Sequence, residues 1–251
     1  MDEIWRKIEQ NTAPKDSFQI TVSGNSSDFI TKLHPPLQLK KGADYEIALL
    51  NMETYYSFPN IDTTNNNFKH SPESGSSWFE VQIPERCYEV DNLNDAVKCL
   101  IKNNNHNDSS VDISANTNTL KTVLELKNNY QVDFSIDNSL RTVLGFNEGT
   151  YTGNYQESEN IVNIVNANSI LVNIDIITDS YINGSMQKTI YSFFPDVSQG
   201  FKIIEKPAHT KYLQVTLDTI TNLRISLTDQ NGKFLNLRGE VLTIRYDLRE
   251  R

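Results

Sequence analysis

The feature that most constrains the fold of this chain is a two-residue alternation of apolar and polar side chains, repeated in many short segments. From Ser17 onward, the sequence SFQITVS places an apolar side chain at every second position until Gly24-Asn25 breaks the run. This period is that of a β-strand with one buried and one exposed face. The chain is also rich in Asn, Ser and Thr, which favour turns and exposed strand positions over helix interiors.

Most later segments are also predicted to be strands. Pro35-Pro36 cannot donate ladder hydrogen bonds, so the segment 29–39 is predicted to be an edge strand or an extended connection. The segment 44–54 has a central apolar run, which predicts a strand covered on both faces. Further strands are predicted at 78–84, marked by Trp78, Val81 and Ile83, and at 119–126, 130–136, 161–165, 169–176, 187–194, 201–205, 212–217, 222–229 and 240–247.

Turn residues separate these segments. Asn128-Asn129 tolerates the positive φ of a tight hairpin, which predicts pairing between the strands at 119–126 and 130–136. Asn183-Gly184 and Asn231-Gly232 are further turn signals. An Asn-rich loop is predicted at 65–67, and a polar loop rich in Tyr and Gly is predicted at 147–159.

One segment has the periodicity of a longer helix. In 91–102 (DNLNDAVKCLIK), apolar side chains recur at helical spacing, and Asp91 or Asn92 is the predicted cap. Cys99 falls off the apolar face, which favours a free thiol over a disulfide with Cys87. The spacing of the two cysteines matches no zinc or redox motif, and so few cysteines suit a reducing compartment.

Two shorter helical segments are expected. The segment 138–146 is predicted to form a helical turn, capped by Asn138 or Ser139, that ends at Gly145 in a left-handed conformation. Residues 3–10 are predicted to form a short amphipathic helix, either as a frayed terminus or as an arm that docks on a neighbouring subunit. Many short strands with one longer helix, and no repeat of fixed period, indicate an all-β antiparallel sandwich or jelly roll.

The charge of the chain argues against nucleic-acid binding. The formal net charge is −9 and the pI is about 5.0, whereas nucleic-acid affinity depends largely on clustered Lys and Arg. Lys40-Lys41 and Arg249-Glu250-Arg251 are isolated or mixed with acidic residues, which indicates solvated surface. We expect neither secretion nor a membrane span, because no signal-peptide core and no run of about eighteen apolar residues occurs.

The residues that usually carry catalysis form no recognisable set. The four histidines lie far apart in the sequence, outside HxH and HExxH spacings: His34, His70, His106 and His209. No GxSxG, Walker or GxGxxG motif occurs. Asp175 and Asp179, near Asn173, resemble a carboxylate pair for glycoside cleavage, but strand polarity and a turn cap explain them more simply. We therefore expect no enzyme, with no catalytic residue, no metal site and no cofactor.

Two aromatic runs suggest either packing or ligand stacking. Tyr55-Tyr56-Ser57-Phe58 and Tyr191-Ser192-Phe193-Phe194-Pro195 resemble stacking platforms for sugars or bases. Proteins that bind single-stranded nucleic acid combine such platforms with positive charge, which is lacking here. Burial in a core or at a subunit contact is the simpler interpretation, since large aromatic side chains dominate packing in both places.

Four longer stretches resemble the penton-type minor capsid proteins of Polinton/Maverick elements. They are DYEIALLNMETYYSFPNI at 44–61, VQIPERCYEVDNLNDAVKCLIK at 81–102, VDFSIDNSLRTVLGF at 132–146, and the region 169–204 with SILVNIDI and IYSFFPDVSQGFKII. The resemblance implies a jelly-roll β-sandwich formed by 1–84 and 158–251, with a small helix-containing α+β unit inserted at 85–157.

The resemblance also implies a role and partners. Such a protein forms a homo-pentamer at the five-fold vertices of an icosahedral shell, surrounded by a double jelly-roll major capsid protein. The implied location is the virion, with synthesis in the cytoplasm and assembly in the cytoplasm or nucleus of a eukaryotic host cell. The alternative is a carbohydrate- or receptor-binding β-sandwich, for which Tyr55, Tyr151 and the loop 147–159 are the candidates.

Overall fold

The computed structural model describes residues 16–164, 167–178, 180–182 and 184–251. The predicted helix at 3–10 therefore lies outside the described residues, as do Asp179 and Asn183. The described chain divides into two compact units. The roll unit comprises the described residues of Met1–Ser57 and Ala167–Arg251, and the central unit comprises those of Phe58–Asn166.

Two antiparallel sheets build the roll unit. The strands of the first sheet are β1 (Ser17–Gly24), β3 (Tyr45–Tyr55), β15 (Lys202–Glu205), β16 (Leu213–Val215) and β18 (Leu242–Glu250). Their order is β1-β18-β3-β15, and β16 also pairs with β3. The strands of the second sheet are β2 (Asp28–Gln38), β11 (Ile170–Ile174), β14 (Thr189–Phe193) and β17 (Thr219–Thr228), in the order β14-β11-β17-β2. A separate hairpin joins β12 (Ser180–Ile182) to β13 (Ser185–Gln187).

Alternate side chains of both sheets are buried, as the two-residue period predicts. In β1, Ile20 and Val22 are buried, whereas the neighbouring polar residues are exposed. Strand β18 buries every second residue from Leu242 to Leu248. Inner faces that alternate in this way form the shared core of a β-sandwich. β3 is buried over most of its length and β2 lies at a sheet edge, so the predictions for 44–54 and 29–39 are confirmed.

The central unit contains two further sheets and two helices. One sheet has β4 (Asn67–Ser71), β5 (Phe79–Gln82), β8 (Gln131–Asp133) and β9 (Thr150–Thr152), in the order β5-β4-β8-β9. The other has β6 (Val111–Asn116), β7 (Lys121–Leu126) and β10 (Gln156–Ile161), in the order β10-β7-β6. The helices are α1 (Val90–Asn103) and α2 (Arg141–Leu144), with a 3-10 turn at Asp108–Ser110. The predicted segment 85–157 lies within this unit, whose sheet β5-β4-β8-β9 includes strands on both sides of residue 85.

Helix α1 confirms the helix predicted over 91–102. It buries Leu93, Val97 and Ile101 in the core of the central unit, and Cys99 is exposed. The predicted cap was wrong: the helix begins at Val90, with Glu89 in the cap position and no side-chain cap hydrogen bond. Val90 is buried in the core and belongs to the first turn of the helix. Asp91 therefore lies inside the helix and not at its cap.

Helix α2 is shorter than the predicted turn at 138–146. Leu140 stands at its cap position without a side-chain hydrogen bond, so the predicted caps were wrong, although Ser139 Oγ accepts a hydrogen bond from the Arg141 N–H at 3.3 Å. Gly145 ends the helix at φ 81°, as predicted. This left-handed conformation favours glycine. Phe146 is buried and stacks on Phe134, with 5.3 Å between ring centroids.

The hairpin predicted around Asn128-Asn129 was wrong. Both residues have the expected positive φ, 56° and 59°. However, β7 pairs with β6 and β10, whereas β8 pairs with β4 and β9. The turn therefore carries the chain from one sheet to another, because each strand has its partners elsewhere.

Several short strands were missed or misplaced. The predicted loop 147–159 contains β9 and most of β10, and the strand predicted at 161–165 coincides only with the last residue of β10. Strand β4 begins within the predicted loop 65–67, and β5 begins at Phe79, one residue after Trp78. Strands β6, β12 and β13 were not predicted. No helix in the described part of the chain is long and apolar enough to cross a bilayer.

Candidate assembly surface and binding groove

Side chains with catalytic potential are scattered over the described structure. His34 and His209 are exposed in the roll unit, whereas His70 and His106 meet in the central unit. Across residues 16–164, 167–178, 180–182 and 184–251, no group of three or more His, Cys, Asp or Glu side chains is placed to hold a metal ion. Neither Cys87 nor Cys99 forms a disulfide within the described part of the chain. The Asp175 carboxylate accepts a hydrogen bond from the Arg224 N–H at 3.1 Å, and its predicted companion Asp179 is outside the described residues.

Each aromatic run is divided between core and surface. Tyr56 and Phe58 are buried, whereas Tyr55 is 44% exposed at the end of β3. In the second run, Phe193 is buried and Phe194 is 52% exposed. The packing interpretation therefore accounts for part of each run, and the exposed members are available for contacts with other molecules.

Three exposed apolar side chains lie at the β15 edge of the first sheet of the roll unit. We call Tyr55, Phe201 and Ile204 the edge patch; Phe201 and Ile204 are 64% and 56% exposed. Tyr55 pairs with Lys202, so Ile204 is its diagonal neighbour on the same face. Phe201 directly precedes β15, and its carbonyl accepts the Tyr56 N–H at 2.9 Å. Among the described strands, β15 pairs only with β3, which leaves its other edge open.

Ion pairs surround the edge patch. Glu53 lies 2.7 Å from Lys202 Nζ and 3.7 Å from Arg245 Nη1, all on the outer side of the first sheet. The hydrogen bond from Lys202 lowers the pKa of the Glu53 carboxyl from its usual value. Farther along, Arg249 binds Glu46 at 2.7 Å and lies 3.5 Å from the centroid of the Tyr212 ring. The charged groups beside the patch are therefore paired within the chain.

The second sheet of the roll unit borders a groove of about 570 Å³. Its floor is a network of neutral polar side chains: Asn173 Nδ2 donates to Ser226 Oγ at 3.3 Å and to Thr228 Oγ1 at 3.2 Å, and Asn173 Oδ1 accepts from Thr189 Oγ1 at 2.6 Å. Residues of the β12-β13 hairpin and Phe234 also line the groove. Phe234 is 50% exposed.

The cationic side chains of the groove are engaged within the chain. Arg224 donates two hydrogen bonds to the Asp28 carboxylate, at 2.9 and 2.8 Å. Lys188 Nζ donates to the carbonyl oxygens of Asp175 and Ile177, both at 2.8 Å. The groove therefore offers amide and hydroxyl groups beside an aromatic ring.

The central unit contains a histidine pair, of which His70 is buried and His106 is half-buried, that the sequence did not predict. His70 is fully buried, and its Nδ1 lies 2.8 Å from the Tyr130 hydroxyl. The His106 ring lies 5.2 Å from the His70 ring between centroids. Burial, together with the nearby His106, lowers the pKa of His70 to about 4. The two residues are far apart in sequence, so only the folded chain brings them together.

Comparison with known proteins supports the architecture. No protein-family model matches the sequence, and no curated protein matches it significantly. The mavirus penton protein is 10% identical, with a TM-score of 0.50 over 94% of this chain and 100% of that chain. A chain from the structure of the Sputnik virophage is 13% identical, with a TM-score of 0.41 over 94% of this chain and 98% of that one. The predicted all-β, antiparallel jelly-roll architecture is therefore confirmed, and this chain has the fold of the mavirus penton protein.

Proposed function

We propose that this chain is a structural virion protein, a penton-type minor capsid subunit that forms homo-pentamers at the five-fold vertices of an icosahedral shell. The observation that carries the proposal is the edge patch beside an open strand edge, on a jelly roll of the penton fold. A double jelly-roll major capsid protein would surround the pentamer. The proposed location is the virion, after synthesis in the cytoplasm and assembly in the cytoplasm or nucleus of a eukaryotic host cell.

The edge patch has the properties of one half of a repeated contact. In a closed ring, each subunit presents one surface to the next and a different surface to the previous one, so a single patch is used in every interface. Burying one large apolar side chain contributes about 1.5–3 kcal/mol, so burial of Phe201 and Ile204 would stabilise every interface. The flanking ion pairs would remain within the subunit, so the interface would not need new ion pairs with the neighbouring subunit.

A structural role also agrees with the chemistry of the chain. The described residues contain no metal-binding cluster, and a solved structure with the same fold is a penton protein. A net charge of −9 disfavours adhesion to nucleic acid, which requires neutralisation of phosphates by Lys and Arg. We therefore propose a non-enzymatic subunit without cofactor or metal.

We further propose that the central unit is a domain inserted into the jelly roll. The chain enters it after Ser57 and leaves it at Asn166, between β3 and β11 of the roll unit. The central unit has a core of its own, which includes Phe68, Leu93 and Phe134. A separate core is the property expected of a domain that folds as a unit.

Light scattering coupled to size-exclusion chromatography tests the assembly. We expect the wild-type chain to form pentamers, and the double variant Phe201→Ser/Ile204→Ser to shift to monomers at the same concentration. The matched control is Ile161→Ser, since Ile161 is 61% exposed in the central unit and should not affect assembly. A wild-type chain that stays monomeric at high concentration, even with the major capsid protein present, would contradict the proposal.

The groove of the second sheet favours a carbohydrate-binding module as the second candidate. Amide and hydroxyl groups beside an exposed aromatic ring suit a neutral sugar, and the volume lies within the range of ligand sites. Tyr55 and Tyr151, the residues that the sequence suggested for this function, lie in different units and do not line the groove.

A glycan array distinguishes this candidate from a purely structural role. If the groove binds sugars, neutral oligosaccharides should bind the wild-type chain, and Phe234→Ala should weaken binding at least about tenfold, as expected for a lost stacking contact of about 1.4 kcal/mol or more. Phe194→Ala, at a similarly exposed ring outside the groove, should bind as the wild type does. An array without hits would set the candidate aside.

A further inference from the structure

The histidine pair of the central unit lies in an aromatic cluster. The His70 ring is nearly parallel to the Tyr130 ring, with an interplanar angle of 5° and 5.5 Å between centroids. Phe79 of β5 packs 4.3 Å from the His106 ring. His106 follows the end of α1, so the cluster joins the β4-β5 strand pair to the segment after the helix.

Neither histidine is fully hydrogen-bonded. His70 Nδ1 is paired with the Tyr130 hydroxyl, but His70 Nε2 and His106 Nδ1 are buried without a hydrogen-bond partner among the described residues. Either neutral tautomer of His70 leaves its Nε2 atom unpaired. A proton added to His70 would therefore create a buried positive charge whose Nε2–H has no acceptor among the described residues.

No carboxylate faces the cluster from the strands that carry it. In β4, Lys69 lies on the face of the sheet opposite to His70. Glu80 and Asp133 are the strand partners of Lys69 and share that opposite face. The strand partners of His70 itself are Phe79 and Val132. The titratable groups in ring contact with His70 are His106 and Tyr130, and neither is an anion that could balance an added proton.

We propose that His70, His106, Phe79 and Tyr130 form an acid-sensitive latch, which holds the β4-β5 strand pair against the segment after α1 at neutral pH and releases it when His70 is protonated. Protonation of His70 is favourable only when its ring reaches water. Acid therefore favours separation of β4 and β5 from the rest of the cluster.

The sign of the pH dependence follows from the pKa of His70, which falls from the ordinary 6.5 to about 4 in the closed state. Above about pH 6.5 both states are neutral at His70, and the latch contributes its full stability. As the pH falls from 6.5 towards 4, the open state gains a proton that the closed state does not hold, so the opening equilibrium rises by about tenfold per pH unit. The ion pairs of exposed carboxylates weaken mainly below this range, because the pKa values of Asp16, Glu53 and Glu250 are lowered from ordinary values near 4.

Hydrogen exchange of the full chain at pH 7.5, 6.0, 5.0 and 4.5, corrected for intrinsic chemical exchange, tests the latch. We expect protection in peptides covering 67–71 and 79–82 to fall by about tenfold per unit below pH 6.5. Peptides covering β17 and β18 of the roll unit should keep their protection. Equal protection of 67–71 and 79–82 at pH 7.5 and 4.5 would overturn the proposal, as would an equal loss in all four strands.

Variants of the cluster residues test whether the acid-dependent loss of protection comes from this cluster. The double variant His70→Phe/Tyr130→Phe keeps the aromatic packing and removes both the titrating ring and its hydroxyl partner, so its protection should not change with pH. His209→Gln, at an exposed histidine of the roll unit, should keep the wild-type dependence. If circular dichroism shows that the double variant is unfolded at pH 7.5, His106→Gln replaces it and should reduce the dependence. If the folded double variant, or His106→Gln in its place, opens with acid as the wild type does, the latch is overturned.

Discussion

The Tyr191 hydroxyl donates a hydrogen bond of 2.8 Å to Oε1 of Glu205. Tyr191 is on β14, at the edge of the second sheet of the roll unit, and Glu205 is on β15, at the edge of the first sheet. The bond therefore joins the two sheets on the side of the sandwich where the edge patch lies. Burial, together with the bond to Glu205, raises the pKa of Tyr191 to about 12, so the hydroxyl remains a donor at neutral pH.

Loss of this bond should loosen the edge of the roll. We expect Tyr191→Phe to lower the free energy of unfolding by about 1–2 kcal/mol, because a hydrogen bond to a charged acceptor is lost. Urea denaturation measures the change. Tyr181→Phe is the control, since Tyr181 is 66% exposed and its hydroxyl should contribute little. Equal stability of the two variants would show that the bond does not hold the sheets together.

Tyr246 should behave in the opposite way. Its side chain is fully buried, burial raises its pKa, and its hydroxyl has no hydrogen-bond partner among the described residues. Removing a buried, unpaired hydroxyl relieves a desolvation cost of about 1–3 kcal/mol. Tyr246→Phe should therefore leave stability unchanged or raise it, seen as an equal or higher Tm by scanning calorimetry. A fall in stability of more than about 1 kcal/mol would mean that the hydroxyl is paired.

Helix α1 tests whether the central unit unfolds independently. Leu93→Ala removes a fully buried side chain from its core and should cost about 2–5 kcal/mol. In calorimetry of the full chain, this loss should shift one transition and leave the other in place. Cys99→Ala, on the exposed side of the same helix, should shift neither transition. A single transition moved as a whole by Leu93→Ala would contradict an independent domain.

The Glu53–Lys202 pair tests the electrostatics beside the edge patch. Lys202 lowers the pKa of Glu53 by a hydrogen bond and by its charge, so Lys202→Gln should raise this pKa towards its ordinary value. Carboxyl chemical shifts followed by NMR through an acid titration measure the change. Lys188→Gln is the control, because Lys188 Nζ binds backbone carbonyls of the groove. An unchanged Glu53 pKa in Lys202→Gln would show that the pair does not form in solution.

The alternation of side chains allowed much of the roll unit to be predicted. Strands such as β1, β11 and β18 have one face on the core and one in water, so the alternation of apolar and polar residues in their sequences predicts which side chains are buried. The apolar run of β3 likewise marks a strand between two neighbours. Helix α1 was predictable because its buried stripe keeps helical spacing over its whole length.

Short and polar strands of the central unit could not be predicted in the same way. Of the residues of β10, only Ser158 is buried, so its sequence shows no apolar alternation. The turn at Asn128-Asn129 has the local geometry of a hairpin, yet local geometry does not determine which strands pair. The candidate sites have the same limitation: the edge patch and the histidine pair combine residues that only tertiary pairing brings together, as Tyr55 with Ile204 and His70 with His106.

Electron microscopy of the purified chain, alone and with the major capsid protein, tests the central claim most directly. Class averages of the wild-type particles should show five-fold rings, and Phe201→Ser/Ile204→Ser should abolish them while the monomer stays folded. Single particles of one subunit under all these conditions, or rings of another symmetry, would contradict the assignment of this jelly roll to a capsid vertex.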